Sequence, residues 1–268
     1  MRLIVYFLIT ISMLRVSLAS DVLNQFDQDQ YSPSKYGLKD LVFEIRIDGI
    51  EKDLKERFQL NKLDDPRYRV YWIHPGRVEI EILGLPPGFS SLKQELKKLV
   101  FERIEYVVPQ DLSGRLRGYR FDDKKLKNNL TQLTGKDETN TKPISQIELV
   151  LAPGGVIKSL KTYSPSGSQL AKFTISKKNW SHNKNVVDRV EVIGVTGIQK
   201  NTTITEISYV LKDGYGFPGE IRTTSTIEAM TNTNSSDKNE SKARLILSNY
   251  EVNSGNAQKY FMGLDESN

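Results

Sequence analysis

Cysteine is absent from this sequence of 268 residues, and histidine occurs only at His74 and His182. Without cysteine the chain cannot be a disulfide scaffold, so its fold has to rest on a hydrophobic core. We also expect no thiolate nucleophile and no lipid-modified cysteine. No catalytic triad, metal-ligand spacing or glycine-rich phosphate loop can be assembled around the two histidines. The sequence therefore predicts a protein that is not an enzyme and that has no metal site and no cofactor.

A strong excess of one charge is lacking as well. The 38 lysines and arginines are interleaved with 33 acidic residues, which leaves a net charge of +5. No basic cluster with aromatic residues occurs, so we expect no nucleic-acid partner. The paired acids Asp64–Asp65 and Asp122–Asp123 stand in polar stretches and are expected to be solvated charges.

Apolar runs of the length that spans a bilayer, about 20 residues, are missing too. An apolar run from Leu3 to Leu14 follows a basic start and precedes the small residues up to Ala19. This pattern predicts a secretory signal peptide over residues 1–19, cleaved after Ala19, rather than a permanent anchor. An exported protein of this size without disulfides fits the bacterial periplasm better than a eukaryotic secretory pathway.

The polar stretch of residues 20–40 is predicted to be a flexible leader, although its few apolar residues leave open a short covering helix. Apolar and polar residues then alternate over Leu41–Ile47, as in a strand with one buried side. The segment Lys52–Leu60 is predicted to return as a second strand.

Two alternating runs, Arg67–His74 and Arg77–Leu83, flank Pro75-Gly76. Proline presets φ and glycine accepts positive φ, so this dipeptide predicts a turn between two antiparallel strands. The side chains that face one another across this hairpin are expected to be Tyr68, Val70 and Trp72 with Val78, Ile80 and Ile82.

One amphipathic helix is predicted over residues 90–108. Ser91 and Gln94 have the spacing of a capping box, and Pro109 ends the pattern. Apolar residues recur at steps of three and four, which places them on one side of the helix: Leu92, Leu96, Leu99, Val100, Ile104 and Val107. A helix with one apolar side has to lie on another apolar surface.

Residues 111–142 are predicted to be a polar loop with at most a short edge strand at Leu116–Phe121. Strand signals then recur at short spacing, and the polar stretch 231–241 predicts a solvated insertion. The C-terminal part is predicted to have a turn at Gly214–Gly219 and then two long strands, Glu220–Glu228 and Lys242–Val252, joined by a loop. About eleven strands favour a mainly β fold over residues 41–262, a curved antiparallel sheet that forms an unclosed, or half, β-barrel with covering α-helices.

Two interpretations of this sheet and its helix stay open. The helix can fill the concave side of the sheet and make an ordinary core. Alternatively, a half-closed barrel leaves room between sheet and helix for an apolar ligand. Periodicity alone does not separate the two.

Several motifs carry a resemblance to a known family. Gly216-Phe-Pro-Gly-Glu-Ile-Arg222 leads through a strand to Leu247-Ser-Asn-Tyr-Glu-Val-Asn253, and Tyr260-Phe261 follows. Tyr71-Trp-Ile-His-Pro-Gly-Arg77 is similar to an early hairpin of that family, and residues 155–175 are similar to its central hairpin. Together they resemble the outer-membrane lipoprotein carrier superfamily, the LolA-like and RseB-like proteins of the bacterial periplasm.

The resemblance implies a hydrophobic cavity that holds lipoprotein acyl chains or another lipid without covalent chemistry. Its partners would be a lipoprotein or another lipid, together with an envelope protein of the inner or outer membrane. Under this hypothesis the cavity lining comes from the sheet and the predicted helix: Phe43, Ile45, Val70, Trp72, Ile80, Ile82, Leu92, Leu96 and Leu99. An envelope-stress sensor or adaptor that acts through a protein partner is the alternative on the same fold. A small hydrolase that uses His74 and His182 is the third hypothesis.

Overall fold

The computed structural model describes residues 21–60, 63–229 and 239–264 of the chain. The predicted signal peptide lies outside these ranges, as does the predicted insertion at 231–241 apart from its last three residues, which begin a strand. No helix within the described ranges is long and apolar enough to cross a bilayer.

Twelve strands occur in the described ranges: β1 (Asp40–Ile47), β2 (Arg67–Ile73), β3 (Arg77–Leu83), β4 (Arg120–Lys125), β5 (Thr131–Lys136), β6 (Gln146–Ala152), β7 (Val156–Ser164), β8 (Gly167–Lys177), β9 (Asn185–Thr196), β10 (Gln199–Lys212), β11 (Tyr215–Ala229) and β12 (Asn239–Val252). The same ranges contain these helices: α1 (residues 21–29), α2 (Ile50–Phe58), α3 (Ser90–Phe101), α4 (Leu112–Arg115) and α5 (Asn256–Phe261). Short 3-10 turns lie at Pro33–Tyr36, Ile104–Tyr106 and Lys127–Asn129.

The strands form one antiparallel sheet in the order β3-β2-β1-β12-β11-β10-β9-β8-β7-β6-β5-β4. Strands β4 to β12 follow chain order as a meander, whereas β1, β2 and β3 are added next to β12. The two outer strands, β3 and β4, do not pair with each other, so the sheet is not closed into a barrel. The prediction of a mainly β chain with an unclosed antiparallel sheet is therefore confirmed.

Strand β1 is hydrogen-bonded on both edges, to β2 and to β12. Leu41, Phe43 and Ile45 point to one side of the sheet and Val42 to the other, and all four are at most 1 % exposed. The Val42 side is covered only in the first half of the strand, because Glu44 is half-buried and Arg46 is exposed, so the second half keeps the alternation of a half-buried strand.

Helix α5 covers the Val42 side of β1 and β2. The rings of Tyr71 and Tyr260 stack with their centroids 3.8 Å apart. The Asp40 carboxylate accepts hydrogen bonds from the backbone N–H groups of Gly255, at 3.0 Å, and Gln258, at 2.8 Å. One acidic side chain at the start of β1 thus caps the first turn of α5, where N–H groups have no partner inside the helix.

The chain divides into two compact units. Among the described residues, unit 1 comprises 21–31, 111–206, 224–229 and 239–241, and unit 2 comprises 32–60, 63–110, 207–223 and 242–264. The core of unit 1 contains Leu133, Ile147 and Leu149, and that of unit 2 contains Phe43 and Phe217. Strands β10 and β11 contribute residues to both units.

The prediction of a flexible leader over residues 20–40 is wrong for the part that the structure describes. Residues 21–29 form α1, a 3-10 turn follows, and β1 starts at Asp40. Leu23, Tyr31 and Leu38 are at most 5 % exposed. Within α1, Leu23 enters the core of unit 1 and the partly buried Val22 and Phe26 pack against it, so a few apolar residues are enough to hold this segment.

Two other local predictions are also wrong. Residues 50–58 form helix α2 rather than a returning strand, and Lys52–Glu56 and Lys55–Glu51 make ion pairs at the helical spacing of four. Residues 111–142 contain α4, β4 and β5 rather than a loop. Strand β4 is an edge strand with a mostly charged sequence, so it lacks the apolar alternation that marks half-buried strands.

Candidate functional site

The nine side chains predicted to line a cavity all belong to unit 2. Eight of them are at most 9 % exposed: Phe43, Ile45, Val70, Trp72, Ile80, Ile82, Leu92 and Leu96. Leu99 is 55 % exposed, because the buried side of α3 runs through Leu92, Leu96 and Val100. The helix is confirmed over Ser90–Phe101, although the prediction extended it to residue 108, and Leu99 does not point into the core. Its N-cap residue is Phe89 and no side chain caps it, so the predicted capping box of Ser91 and Gln94 is wrong.

Aromatic rings pack closely around Phe43. Its ring stacks on Tyr250 with centroids 5.4 Å apart, and Tyr250 stacks on Phe217 at 4.7 Å. The buried Tyr250 hydroxyl donates to the carbonyl of Pro218 at 2.6 Å, and burial raises the pKa of Tyr250. This interlocked arrangement is that of a core, with the one polar group satisfied.

Of the nine residues, Ile80 lines a described cavity, a groove between α3 and β3 of about 350 Å³. The α3–β3 groove is lined by Val78, Glu79, Ile80, Gln94, Lys97, Lys98 and Phe101. The Lys97 ammonium binds the Glu79 carboxylate at 2.7 Å, and this hydrogen bond lowers the pKa of Glu79. Phe101 is 60 % exposed, so the groove has an apolar side chain at its surface.

A larger cavity of about 450 Å³ lies in unit 1, between α1, α4 and β4. Its lining consists of Leu23, Ser113, Leu116, Arg117, Gly118, Tyr119, Arg120, Phe121, Glu138 and Thr139. We call it the α4–β4 pocket. Leu23, Leu116 and Phe121 are buried and form its floor, whereas Arg117, Arg120 and Glu138 are exposed and form its rim.

An acidic side chain of α1 holds α4 in place at this pocket. The Asp27 carboxylate accepts hydrogen bonds from the backbone N–H groups of Leu112, at 2.7 Å, and Ser113, at 3.0 Å. Helix α4 has only four residues, too few to be stable without such a cap. Leu23 lies one helical turn before Asp27, so the same side of α1 supplies the cap and a part of the floor.

Phe121 of β4 is positioned by a glycine on the neighbouring strand. Phe121 pairs in register with Gly135 of β5, and its ring covers that glycine. A Cβ added at Gly135 would lie 2.5 Å from Cε1 of the ring, closer than any normal contact. The missing side chain of Gly135 therefore lets the ring lie flat on the core formed with Leu133 and Leu149.

Two loops meet at the rim. The Lys142 ammonium donates to the Arg117 carbonyl at 2.7 Å and stands 4.6 Å from the centroid of the Tyr119 ring. The Tyr119 hydroxyl donates to the Ile144 carbonyl at 2.8 Å. These contacts tie residues 117–119 to residues 142–144, and burial, followed by the charge of Asp137, raises the pKa of Tyr119.

The loop after β5 is organised by Asp137. Its carboxylate accepts hydrogen bonds from the Thr139 hydroxyl at 2.6 Å, the Thr139 N–H at 3.1 Å and the Lys142 N–H at 2.7 Å. The bond from the Thr139 hydroxyl is the main cause that lowers the pKa of Asp137. This carboxylate thus has its oxygens occupied by its own loop.

No group of three or more histidine, cysteine or acidic side chains in the described ranges could hold a metal ion. His74 lies in the turn between β2 and β3, and His182 lies in the connection between β8 and β9. We take the α4–β4 pocket as the candidate site, because it combines an apolar floor with a rim of two arginines and one glutamate.

Sequence reasoning missed this pocket because it lies in the stretch predicted to be a polar loop. The available signal was the presence of Leu116, Tyr119 and Phe121 among charged residues. Leu23, which packs with Leu116 and Phe121, and Asp27, which caps α4, come from α1, far earlier in the chain, so local periodicity could not connect them.

No family model, no curated protein and no solved structure matches the chain. The chemistry of the pocket has to be judged from its own residues.

Proposed function

We propose that the chain is an exported, periplasmic carrier or binding protein that holds an acyl chain or another lipid without covalent chemistry. The single observation behind this proposal is the α4–β4 pocket, whose floor is built from Leu23, Leu116 and Phe121. Ligand pockets typically join a mainly apolar lining to a few polar groups that fix orientation. The resemblance to LolA-like and RseB-like proteins supports the same class of ligand.

The size of the pocket favours a single chain. An apolar cavity of ~150 Å³ holds one benzene molecule, so the 450 Å³ found here has room for roughly eighteen carbon atoms at most. That volume is within the range of ~300–1,000 Å³ that is common for small ligands. A ligand with one acyl chain fits this volume better than a lipid anchor with several.

The proposed site differs from the one predicted from sequence. The predicted lining in unit 2 is packed like a core around Phe43 and Tyr250. The α4–β4 pocket instead uses residues of unit 1, several of them from the stretch that was predicted to be a loop.

Native mass spectrometry of the protein purified from its own periplasm tests the proposal directly. We expect a co-purifying lipid that is lost after organic extraction, and saturable binding of a fluorescent fatty-acyl probe by the extracted protein. Absence of both the lipid and the probe binding would overturn the proposal.

Chain length provides a second readout. Each buried CH₂ contributes ~0.8 kcal/mol, which corresponds to a roughly fourfold lower Kd. In a series of saturated fatty acids the Kd should fall by about this factor per added CH₂ and then level off when the pocket is full, at or below roughly eighteen carbons. A Kd that does not depend on chain length would show that the acyl chain is not what the protein binds.

The exposed side chains of α3 favour a second candidate, the sensor or adaptor that acts through a protein partner. Leu99 is 55 % and Phe101 60 % exposed, and Phe101 lines the α3–β3 groove. Exposed apolar residues beside a groove are common at protein contacts. Retention of an inner-membrane regulator in a pull-down, lost in Phe101→Ser, would favour this function. Retention of lipid alone would argue against it.

A further inference from the structure

The charged rim of the α4–β4 pocket bears on the head group of the ligand that the pocket selects. The inference drawn from it rests on the function proposed above. Three charged side chains belong to the rim: Arg117, Arg120 and Glu138. Arg120 binds Glu138 with Nη1 and Oε1 2.9 Å apart, so these two charges compensate each other. Among the described residues, the Arg117 guanidinium has no acidic partner within ion-pair distance.

The surroundings of Arg117 keep its charge uncompensated. In the facing loop, Glu138 is paired with Arg120, and Asp137 uses its oxygens for Thr139 and for the Lys142 N–H group. The Lys142 ammonium, a second positive charge, is fixed at the Arg117 carbonyl at 2.7 Å. Two cations therefore stand at one side of the opening while the acidic groups there are already bound.

Gly118 lets the Lys142 side chain lie against the backbone on this side of the rim. A Cβ at this position would lie 3.4 Å from both Cε and Nζ of Lys142, and the backbone φ of +87° is one that favours glycine. The Lys142 ammonium can therefore stand at the carbonyl of Arg117, next to the apolar floor.

We infer that the pocket binds a single-chain amphiphile with an anionic head group, a carboxylate or a phosphate monoester, which pairs with Arg117. The chain lies on Leu23, Leu116 and Phe121, and the head group takes the rim position beside Arg117. The guanidinium fork matches the paired oxygens of a carboxylate or phosphate, and it is the strongest donor set for such groups. A neutral or cationic head group gains nothing at this position.

Four ligands with the same tetradecyl chain test the inference on the full chain, each in competition with a fluorescent fatty-acyl probe: pentadecanoate, tetradecyl phosphate, tetradecanol and tetradecyltrimethylammonium. Since Arg117 is exposed, its contact with an anion is worth less than a buried one. We expect at least one of the two anions to bind about five- to twelvefold more tightly than the alcohol. The ammonium compound should bind more weakly than the alcohol. The better of the two anions identifies the head group.

Variants test whether Arg117 causes the preference for an anionic head group. In Arg117→Gln the difference between anion and alcohol should disappear, while the affinity for the alcohol stays the same. Arg117→Lys should keep part of it, because a point charge remains without the fork. Lys124→Gln removes one positive charge from β4 outside the pocket and should change nothing.

The outcomes separate the inference from the function beneath it. If the alcohol binds as tightly as the anions, or if Arg117→Gln keeps the preference, the head-group inference is overturned although the lipid-binding function stands. If none of the four displaces the probe, the proposed function itself fails. Should Arg117→Gln not fold, the comparison of the four ligands on the wild-type chain still decides.

Discussion

Single residues decide whether the pocket exists, and Gly135 is the clearest case. Its lack of a side chain lets the Phe121 ring cover β5. Glycine is usually unfavourable within a strand, so its place here is explained by the ring that it accommodates.

Substitution of Gly135 should therefore reduce ligand binding. In Gly135→Ala the new methyl group displaces the Phe121 ring toward the pocket and takes up room that the ligand uses. We expect a Kd for the fatty-acyl probe that is higher by about fourfold for each displaced CH₂, with a loss of stability of about 1–3 kcal/mol from overpacking. Gly194→Ala in the same unit is the matched control, since the nearest side-chain atom is 3.7 Å away. If both variants bound the probe with the same Kd, Phe121 would not belong to the floor of the pocket.

A second residue, Asp137, should make the rim sensitive to acid. Its folded-state pKa lies below the ordinary value of 3.8, chiefly because of the Thr139 hydroxyl. A lowered pKa means that the carboxylate stabilises the fold above the unfolded-state pKa, and that this contribution is lost as the pH falls through the folded-state pKa. Asp137→Asn should therefore melt below the wild type at neutral pH, and the difference should vanish in strong acid.

Thermal melts between about pH 2 and pH 7 check this expectation. Asp122→Asn is the control, because Asp122 is an exposed acid of β4 whose side chain makes no hydrogen bond within the described ranges. A difference between Asp137→Asn and the wild type that stays the same at all pH values would show that the charge is not what stabilises the loop.

At the scale of elements, the pocket depends on how two short helices are held. Helix α4 has four residues and is held by its cap from α1 and by the packing of Leu112 against the unit 1 core. Asp27→Ala leaves two partly buried N–H groups without this acceptor, which should lower the free energy of unfolding by about 1–3 kcal/mol. The cap also fixes the position of Leu116 relative to Leu23. The Kd for the fatty-acyl probe should therefore rise by more than the loss of stability alone explains.

The neighbouring Gln28→Ala is the control for this prediction. Gln28 is an exposed residue of the same helix, so alanine there should leave both the stability and the Kd unchanged or slightly improved. If Asp27→Ala keeps the wild-type affinity at a temperature where it is fully folded, α4 does not need the cap in order to form the pocket.

Edge strands also show how elements are protected. Strand β4 ends the sheet with the sequence Arg-Phe-Asp-Asp-Lys-Lys, which is almost entirely charged. Charges on an outer strand discourage pairing with other chains. The single apolar residue, Phe121, points to the core and the pocket floor, so this strand combines protection of the edge with a role at the site.

For the whole molecule, the strand order makes β1 an interior strand although it comes early in the chain. It pairs with β2 and with β12, and its first four residues are buried. Amides in such a strand exchange only when the surrounding structure opens extensively.

Native-state hydrogen exchange should therefore find the amides of β1 among the slowest in the chain and those of β4 among the faster ones. Phe43→Ala, which removes a ring stacked on Tyr250, should cost about 3–5 kcal/mol and speed exchange in β1 and β12 together. Fast exchange in β1 of the wild type would contradict the strand order.

Much of the fold follows from the sequence alone. The hairpin at Pro75-Gly76, the strands after residue 145 and the buried side of α3 were all predicted, because local periodicity determines which side of an element is apolar. The same periodicity placed Leu41, Phe43 and Ile45 on one side of β1. It could not show that Leu99, which directly precedes the buried Val100 in α3, faces solvent.

Only the tertiary structure decided where β1 lies and where a pocket forms. The pairing of β1 with β12 and the contact of Asp27 with α4 join residues far apart in the chain, and such contacts leave no periodic signal. The pocket also depends on Phe121 lying over Gly135, a pairing set by the register of two mostly polar strands. A polar edge strand takes its structure from its neighbours, because it has no apolar pattern that would require one side to be buried.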